Sequence, residues 1–448
     1  MNIKQTGFIA LFVTLLSSGA FAQLSENSPL SSLGIGDLAE PSVVSSNTLG
    51  GLFSTYSNPY NVNLVNPASY AGLMATAFDM GVDASYTTIK DSQKEQSAWG
   101  GNFKYLSLSF PLMSPVNVVL DRKEQLFKMG MNISLLPISR MDYRINQEIT
   151  TDFEDAVSRQ YGGNGGLNKL QIGTGAKYKN LSMGFNIGFL FGSIQNERAL
   201  LFDAANNNYH TYTENERLYS GFLWNAGLQY KWFLNKDSGD PTNNRWIAFG
   251  LYGNSKQAVS VDQTEIVLRK STSYFGLDDE NANDELIDTI SINQTDNIRN
   301  YLPSEIGFGI SYGLANRLQA GINIEYNGWK NFNNFLNIGT LRNSWSSAAS
   351  IEYTPNPSAL LNYWQRVSYR GSLYFNNDPR VFNEMGLTKK GMQVGLGFPI
   401  FQKRQLAYFN VSFDAGQLGN EIFKENYIRF NIGVTLNNNL WFYKRRFE

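Results

Sequence analysis

The 448-residue chain contains no cysteine and a single histidine. Disulfides, thiolate metal sites and a cysteine-linked lipid at the N-terminus are therefore excluded. Charge of either sign is not in excess: 37 Lys and Arg face 38 Asp and Glu, for a net charge of −1. Without a basic field there is no electrostatic footprint for nucleic acid and no polybasic patch for lipid. Beyond the first two dozen residues, no apolar run approaches the ~20 residues a transmembrane helix needs. If the chain enters a membrane, it does so as strands.

The one apolar run lies at the N-terminus. Lys4 is followed by Phe8 to Leu16 and then Ala20-Phe21-Ala22, the pattern of a secretory signal peptide with an A-x-A cleavage site. Residues 1–22 are expected to be removed, leaving a mature chain from Gln23 that is exported.

From Met74 onward, apolar residues recur with a period of two. Phe185, Ile187 and Phe189 alternate with Gly184, Asn186 and Gly188. Ile306, Phe308, Ile310 and Tyr312 alternate with Gly307, Gly309 and Ser311, and Ile322 and Ile324 with Asn323 and Glu325. One face is greasy and the other is small or polar, as in a transmembrane barrel with lipid outside and a polar lumen within. Hydrocarbon demands closure, because an open sheet edge leaves N–H and C=O groups unpaired.

The pattern predicts an all-β antiparallel barrel over 74–448 with about fourteen strands, at 74–90, 101–110, 128–149, 167–178, 181–196, 218–234, 245–270, 304–314, 317–329, 345–355, 367–377, 389–400, 405–416 and 426–436. With both barrel ends in the periplasm, the extracellular connections 150–166, 197–217, 271–303 and 330–344 are long, while 179–180, 315–316 and 401–404 are tight. The connections 111–127 and 356–366 are long for periplasmic turns. Aromatics gather near strand ends, as at Trp224, Tyr230 and Trp232, at Tyr326 and Trp329, and at Trp441, Phe442 and Tyr443, where interfacial girdles would sit. Residues 23–73 are rich in Ser, Asn, Gly and Pro and show no alternation. Such a segment cannot make its own core, so it is either disordered or buried as a plug inside a lumen this wide.

Asn66-Pro67-Ala68 before the first strand, Leu302-Pro303 opening a strand that continues Gly307, Gly309 and Tyr312, Asn323-Ile324-Glu325-Tyr326 with Trp329, and Tyr369-Arg370-Gly371 with Tyr374 together resemble the FadL-like family of outer-membrane transporters for hydrophobic compounds. The segment from Ser28-Pro29 through Gly34-Ile35-Gly36-Asp37-Leu38, with Trp441-Phe442, resembles the branch of that family found in Bacteroidota. The resemblance implies a fourteen-stranded barrel in the bacterial outer membrane, an N-terminal hatch, a hydrophobic groove near the extracellular loops, and a gap in the wall where the third strand kinks. The same family includes members that serve as parts of larger outer-membrane machines, so fold does not settle function.

Candidate sites follow. Asn66, Pro67 and Ala68 either turn the chain from hatch into wall or also seal the lumen. Pro137, inside the third expected strand, either breaks the ladder to make a lateral opening or ends a short strand. Leu200, Leu201 and Phe202, with Phe332, Phe335, Leu336 and Ile338, are apolar residues on expected loops, where they contact a ligand or partner or pack on one another. His210 lies in an expected loop with no nucleophile motif beside it, so no catalytic role is assigned. The acidic run Asp278-Asp279-Glu280 to Asp284-Glu285 fails as a calcium loop: counted from Asp279, position six is Asp284 rather than Gly and position twelve is Ile290 rather than Glu. No metal, cofactor or enzymatic activity is expected. Two functions remain: passive uptake of a fatty-acid-like molecule through loops, hatch movement and lateral exit, or a non-transporting subunit of a secretion or outer-membrane protein assembly complex. The expected partners are outer-membrane lipid with a hydrophobic small molecule in the first case and other outer-membrane proteins in the second.

Overall fold

A computed structural model of the chain describes residues 28–90, 94–113, 126–150, 156–202, 209–235, 244–270, 286–315, 317–333, 341–402 and 405–438. The signal segment 1–22, the acidic run 278–285 and Trp441 to Tyr443 lie outside these residues. A two-residue strand, β1 (Asp37–Leu38), precedes the wall, which comprises β2 (Thr76–Lys90), β3 (Glu95–Pro111), β4 (Phe127–Thr150), β5 (Ala156–Tyr178), β6 (Leu181–Phe202), β7 (His210–Phe233), β8 (Arg245–Asn254), β9 (Gln257–Lys270), β10 (Leu286–Leu302), β11 (Glu305–Leu314), β12 (Leu318–Asn327), β13 (Ser344–Tyr353), β14 (Ser368–Phe382), β15 (Met385–Gln402), β16 (Gln405–Gly419) and β17 (Lys424–Asn438). Neighbours in sequence pair antiparallel, and β17 closes on β2 from Lys424 against Lys90 to Asn438 against Thr76.

β8 and β9 are halves of one strand interrupted at Ser255-Lys256, since β7 pairs β8 through residues 226–233 and β9 through 210–220. β10 and β11 are likewise halves, broken at Pro303, because β10 pairs β9 and β11 pairs β8. Proline cannot donate to the ladder, and Pro303 marks that seam. Counted this way, the wall is a closed antiparallel barrel of 14 strands.

The alternation has the expected sense. Phe185, Ile187, Phe189, Ile306, Phe308, Ile322 and Ile324 are exposed on the outside, while Asn132, Asn186, Asn323, Asn410 and Asn431 are buried on the inside. The outer face would be untenable in water as a continuous band; against lipid it is the expected surface.

Several boundaries differ from expectation. β5 begins at Ala156, β6 runs on to Phe202, β7 begins at His210, and β10 occupies much of the expected loop 271–303. The expected loop between the strands at 367–377 and 389–400 is a two-residue turn at Asn383 and Glu384, both at positive φ (51° and 63°), the twist that suits a tight hairpin. These extensions were unreadable because a sheet wetted on both faces needs no apolar alternation. β4 and β7 have 24 residues and β6 has 22, whereas β12 and β13 have 10 each. About 9–11 residues cross a bilayer. The surplus extends beyond the end of the barrel opposite the tight turns, as a sheet of β4, β5, β6, β7, β9 and β10.

The depth assignment has a measurable consequence. Ile324 (56 % exposed) lies mid-strand in β12, and Ile292 (63 % exposed) lies on β10 in the raised sheet. Ile324→Arg is expected to destabilise the barrel in lipid vesicles by about 2–4 kcal/mol. Ile292→Arg should change it by less than about 0.5 kcal/mol, as read by urea unfolding and heat-modifiable mobility on gels.

Candidate functional site

Among the described residues, the longest interruption of the wall's ladder lies between β3 and β4. β3 pairs β4 only through residues 106–111 against 130–135. Above this, among the described residues, 95–105 of β3 pair with β2 alone, and β4 continues to Thr150 with no second strand from the wall. The vacated edge is partly filled by β1, whose Asp37 and Leu38 pair with Arg140 and Ser139. Pro137 sits at this place: the β4 ladder to β5 shifts register between Pro137 and Ser139, which leaves Ile138 as the extra residue of a bulge. The carbonyl of Ile138 then accepts from the Ala39 N–H at 2.9 Å. Pro137 thus lies within a strand that passes through the bulge, not at a strand end.

Residues 28–75 are otherwise enclosed by the wall. Their partners lie on strands around the whole circumference: Asp142 on β4, Gln229 on β7, Ser350 on β13, Arg380 on β14, Lys389 on β15 and Glu425 on β17. Val43, Val44, Val62, Leu64, Tyr70 and Leu73 of the segment bury against Tyr105 and Leu136 of the wall. Tyr105 also accepts from the Val44 N–H at 3.0 Å and donates to Asp79 at 2.7 Å, a buried polar chain that ties segment to wall.

Asn66-Pro67-Ala68 begins the 3-10 helix Pro67–Gly72. The Asn66 side-chain oxygen caps it by accepting from the Ala68 N–H at 3.0 Å, while its amide donates to the Ser54 carbonyl at 2.7 Å. The wall approaches through glycines. A Cβ on Gly184 would overlap the Pro67–Ala68 peptide, one on Gly227 the Asn66 side chain, one on Gly130 the Tyr70 carbonyl, and one on Gly250 the Ser54 carbonyl; a Cβ on Gly51 of the segment would overlap the Ser350 and Gly321 backbone. These glycines let backbone meet backbone.

Salt bridges hold the first part of the segment. Arg380 bonds Asp37 and Asp378 and donates to the Leu30 carbonyl at 3.2 Å. Lys389 meets Glu40 at 3.1 Å, and Ser28 donates to Glu425 at 2.6 Å. Burial would raise the Glu40 carboxyl, but the attraction of Lys389, Lys104 and Arg429 outweighs it and holds the group at about 2. A cavity of about 370 Å³ lies beside the gap, with Leu38, Pro137, Ile138, Leu223 and Trp224 on its apolar side and Lys169, Glu305, Glu325, Arg380 and Lys389 among its charged lining.

The apolar residues expected on loops are not brought together. Leu201 is buried with Ala199 and Tyr212 on the raised sheet, Leu200 beside it is half-buried, and the Phe202 side chain lies outside the described residues. Phe332 is buried in another cluster, edge-on to Trp329 at 5.9 Å, with Ile35, Met141 and Leu302; Phe335, Leu336 and Ile338 lie outside the described residues. His210, expected in a loop, is a buried strand residue opposite Lys270. Among the described residues no cluster could hold a metal. Arg380, Lys389, Glu40 and the seating glycines were missed in the sequence. The glycines were visible as small lumenal residues, but nothing local says that another backbone lies on them.

A model of the BamG family matches residues 2–448. The chain belongs to the BamG family. No curated protein matches it. Among solved structures, the toluene transporter TodX of P. putida is similar over 90 % of this chain and 98 % of its own, with a TM-score of 0.52 at 14 % identity. The CymD monoaromatic hydrocarbon channel covers 93 % of this chain and 99 % of its own at 10 % identity, with a TM-score of 0.40. The likeness to TodX is one of fold, and it bears out the FadL-like resemblance at the level of the barrel.

Two outcomes follow for this BamG-family segment. Gly184→Val should displace the Pro67–Ala68 turn at a cost of about 1–3 kcal/mol, exposing residues 28–75 to protease while the barrel keeps its heat-modifiable mobility. The Glu40 anchor has a folded value below the ordinary 4.5, so its contribution is full above that value and is lost progressively as pH falls from there through about 2. Protection of residues 28–40 against hydrogen exchange should therefore hold from neutrality to about pH 5 and weaken below it, and Glu40→Gln should lower that plateau.

Proposed function

We propose that the protein is a barrel subunit of a multi-protein outer-membrane complex, specifically the machinery that assembles outer-membrane proteins, and that it neither transports nor catalyses. The observation that carries this reading is the sheet raised above the membrane. β10 pairs only β9, and residues 143–150 of β4 pair only β5, so among the described residues this sheet has two edges without strand partners. Ile290, the extra residue of a bulge, and Ile292 are both exposed on β10. Long uncovered edges with apolar side chains beside them are the places where another chain adds a strand. A segment keyed into wall glycines supports the role of a fixed seal, and membership of the BamG family supports assembly machinery over secretion as the setting. The expected location is the outer membrane of a Bacteroidota-type cell, with the mature chain starting at Gln23.

The second reading is passive uptake of a hydrophobic molecule, with exit through the wall. It is favoured by the β3–β4 gap beside the apolar side of the cavity, and by the fold shared with TodX, a toluene transporter. Against it stand the charged remainder of the cavity lining and the occupation of the gap by β1.

One experiment separates the two. Native membranes are extracted in mild detergent, the protein is recovered on a C-terminal tag, and both co-purifying proteins and apolar small molecules are identified by mass spectrometry. A stoichiometric set of outer-membrane proteins is expected, and Ile290→Arg with Ile292→Arg should reduce its recovery about tenfold, since an exposed edge contact is worth a kcal/mol or more. A bare barrel carrying fatty acids, with uptake slowed by Pro137→Val, would replace this reading with the transporter.

A further inference from the structure

At the opposite end of the barrel, the connection from β13 to β14 is longer than the tight turns beside it, and it is built rather than loose. The Asn356 N–H donates to the Gln365 carbonyl at 2.8 Å and the Ala359 N–H to the Asn356 carbonyl at 3.1 Å. The Asn362 side chain caps the 3-10 turn Tyr363–Gln365 by accepting from the Trp364 N–H at 3.1 Å. Val367 and Ala359 are buried beneath it. This ordered turn nevertheless holds two adjacent leucines in full contact with solvent, Leu360 at 93 % and Leu361 at 102 % exposure.

The turn does not hang below the lumen. It folds outward over the lipid-facing side of β15: Trp364 meets Phe398 edge-on at 6.4 Å, and the Tyr363 hydroxyl donates to the Pro399 carbonyl at 3.3 Å. Phe398 shares its face of β15 with the exposed Met392, Val394 and Ile400, so the turn continues the apolar belt at its periplasmic rim. Arg366 lies within 5.1 Å of the Tyr363 ring and 5.2 Å of the Phe401 ring.

Leucines projecting from a rim of Tyr, Trp and Arg repeat, in one turn, the vertical order of a membrane interface: apolar chains inside, aromatic and cationic groups at the headgroups. We propose that residues 356–366 form a foot in the inner leaflet of the outer membrane, with Leu360 and Leu361 among phospholipid acyl chains and Arg366 donating to a phospholipid phosphate. Continuity with the lipid belt is what selects lipid as the occupant. A phosphate oxygen beside a guanidinium accepts charge-assisted hydrogen bonds from it, often in pairs.

The absence of cysteine makes the test direct. The full chain carrying Leu361→Cys, labelled with an environment-sensitive fluorophore, is folded into nanodiscs of phosphatidylethanolamine and phosphatidylglycerol, with Ile322→Cys as the lipid-facing reference. Emission is expected to be blue-shifted, shielded from iodide, and about halved by lipids bearing a spin label near the glycerol. Emission of a water-exposed dye, quenched by iodide and indifferent to spin-labelled lipid, would overturn the proposal. So would a label protected only when native partner proteins are retained, because the occupant would then be protein. Arg366→Gln, in the Leu361→Cys background, should weaken quenching by the spin-labelled lipid; an unchanged depth would remove the headgroup contact from the proposal.

Discussion

A peptide group in hydrocarbon must find its partner within the protein. Most junctions between neighbouring wall strands meet that demand through the ladder itself, and where β7 meets the break between β8 and β9 the Gln257 side chain serves the Trp224 N–H and carbonyl instead. The β3–β4 junction meets it only over its lower part. Above, the burden passes to the N-terminal segment: β1 takes up Ser139 and Arg140, Ala39 takes the carbonyl exposed by the Pro137 bulge, and Ser28 takes that of Asp142. The segment therefore acts as wall where the wall is missing, and its position is coupled to the integrity of the barrel.

The same constraint explains the glycines. A segment rich in Ser, Asn, Gly and Pro cannot gain enough from apolar burial to order itself, so it must gain from polar contacts at short range. Gly130, Gly184, Gly227 and Gly250 remove the side chains that would hold it away, and the inward Asn and Ser residues supply donors and acceptors. Moving it would strand many of these groups at once, each costing on the order of 1–3 kcal/mol when left unsatisfied. Small ligands rarely bind tightly enough to offset several such losses. On the reading proposed here, the cost is evidence for a seal that stays in place.

How much of this was legible in the sequence divides along the lipid boundary. Where a strand faces lipid on one side and the lumen on the other, as at 181–190 or 306–312, alternation is enforced and the strand is readable from its residues. Where both faces meet water, as over residues 288–299 of β10, nothing enforces it, and strand was read as loop. The candidate residues behave similarly. Asn66 and Pro137 stood out because their local chemistry is restrictive, and both lie at junctions between segment and wall. Arg380 and Glu40 gave no signal, because a buried charge is identified by partners hundreds of residues away in sequence and not by its neighbours.

The raised sheet carries the opposite lesson about edges. A barrel abolishes edges only if its strands end together, and here β12 and β13 stop after 10 residues while β4 and β7 continue to 24. The step at each flank creates an edge. Proteins commonly blunt such edges with charge, and Asp288 and Asp296 on β10 act in that sense, but Ile290 and Ile292 between them do not. Edge protection that is interrupted by exposed isoleucines suits selective pairing better than general avoidance: the carboxylates disfavour random association, and the apolar pair rewards one complementary strand. On the proposed reading, a fixed seal below and a selective edge above suit a scaffold better than a valve.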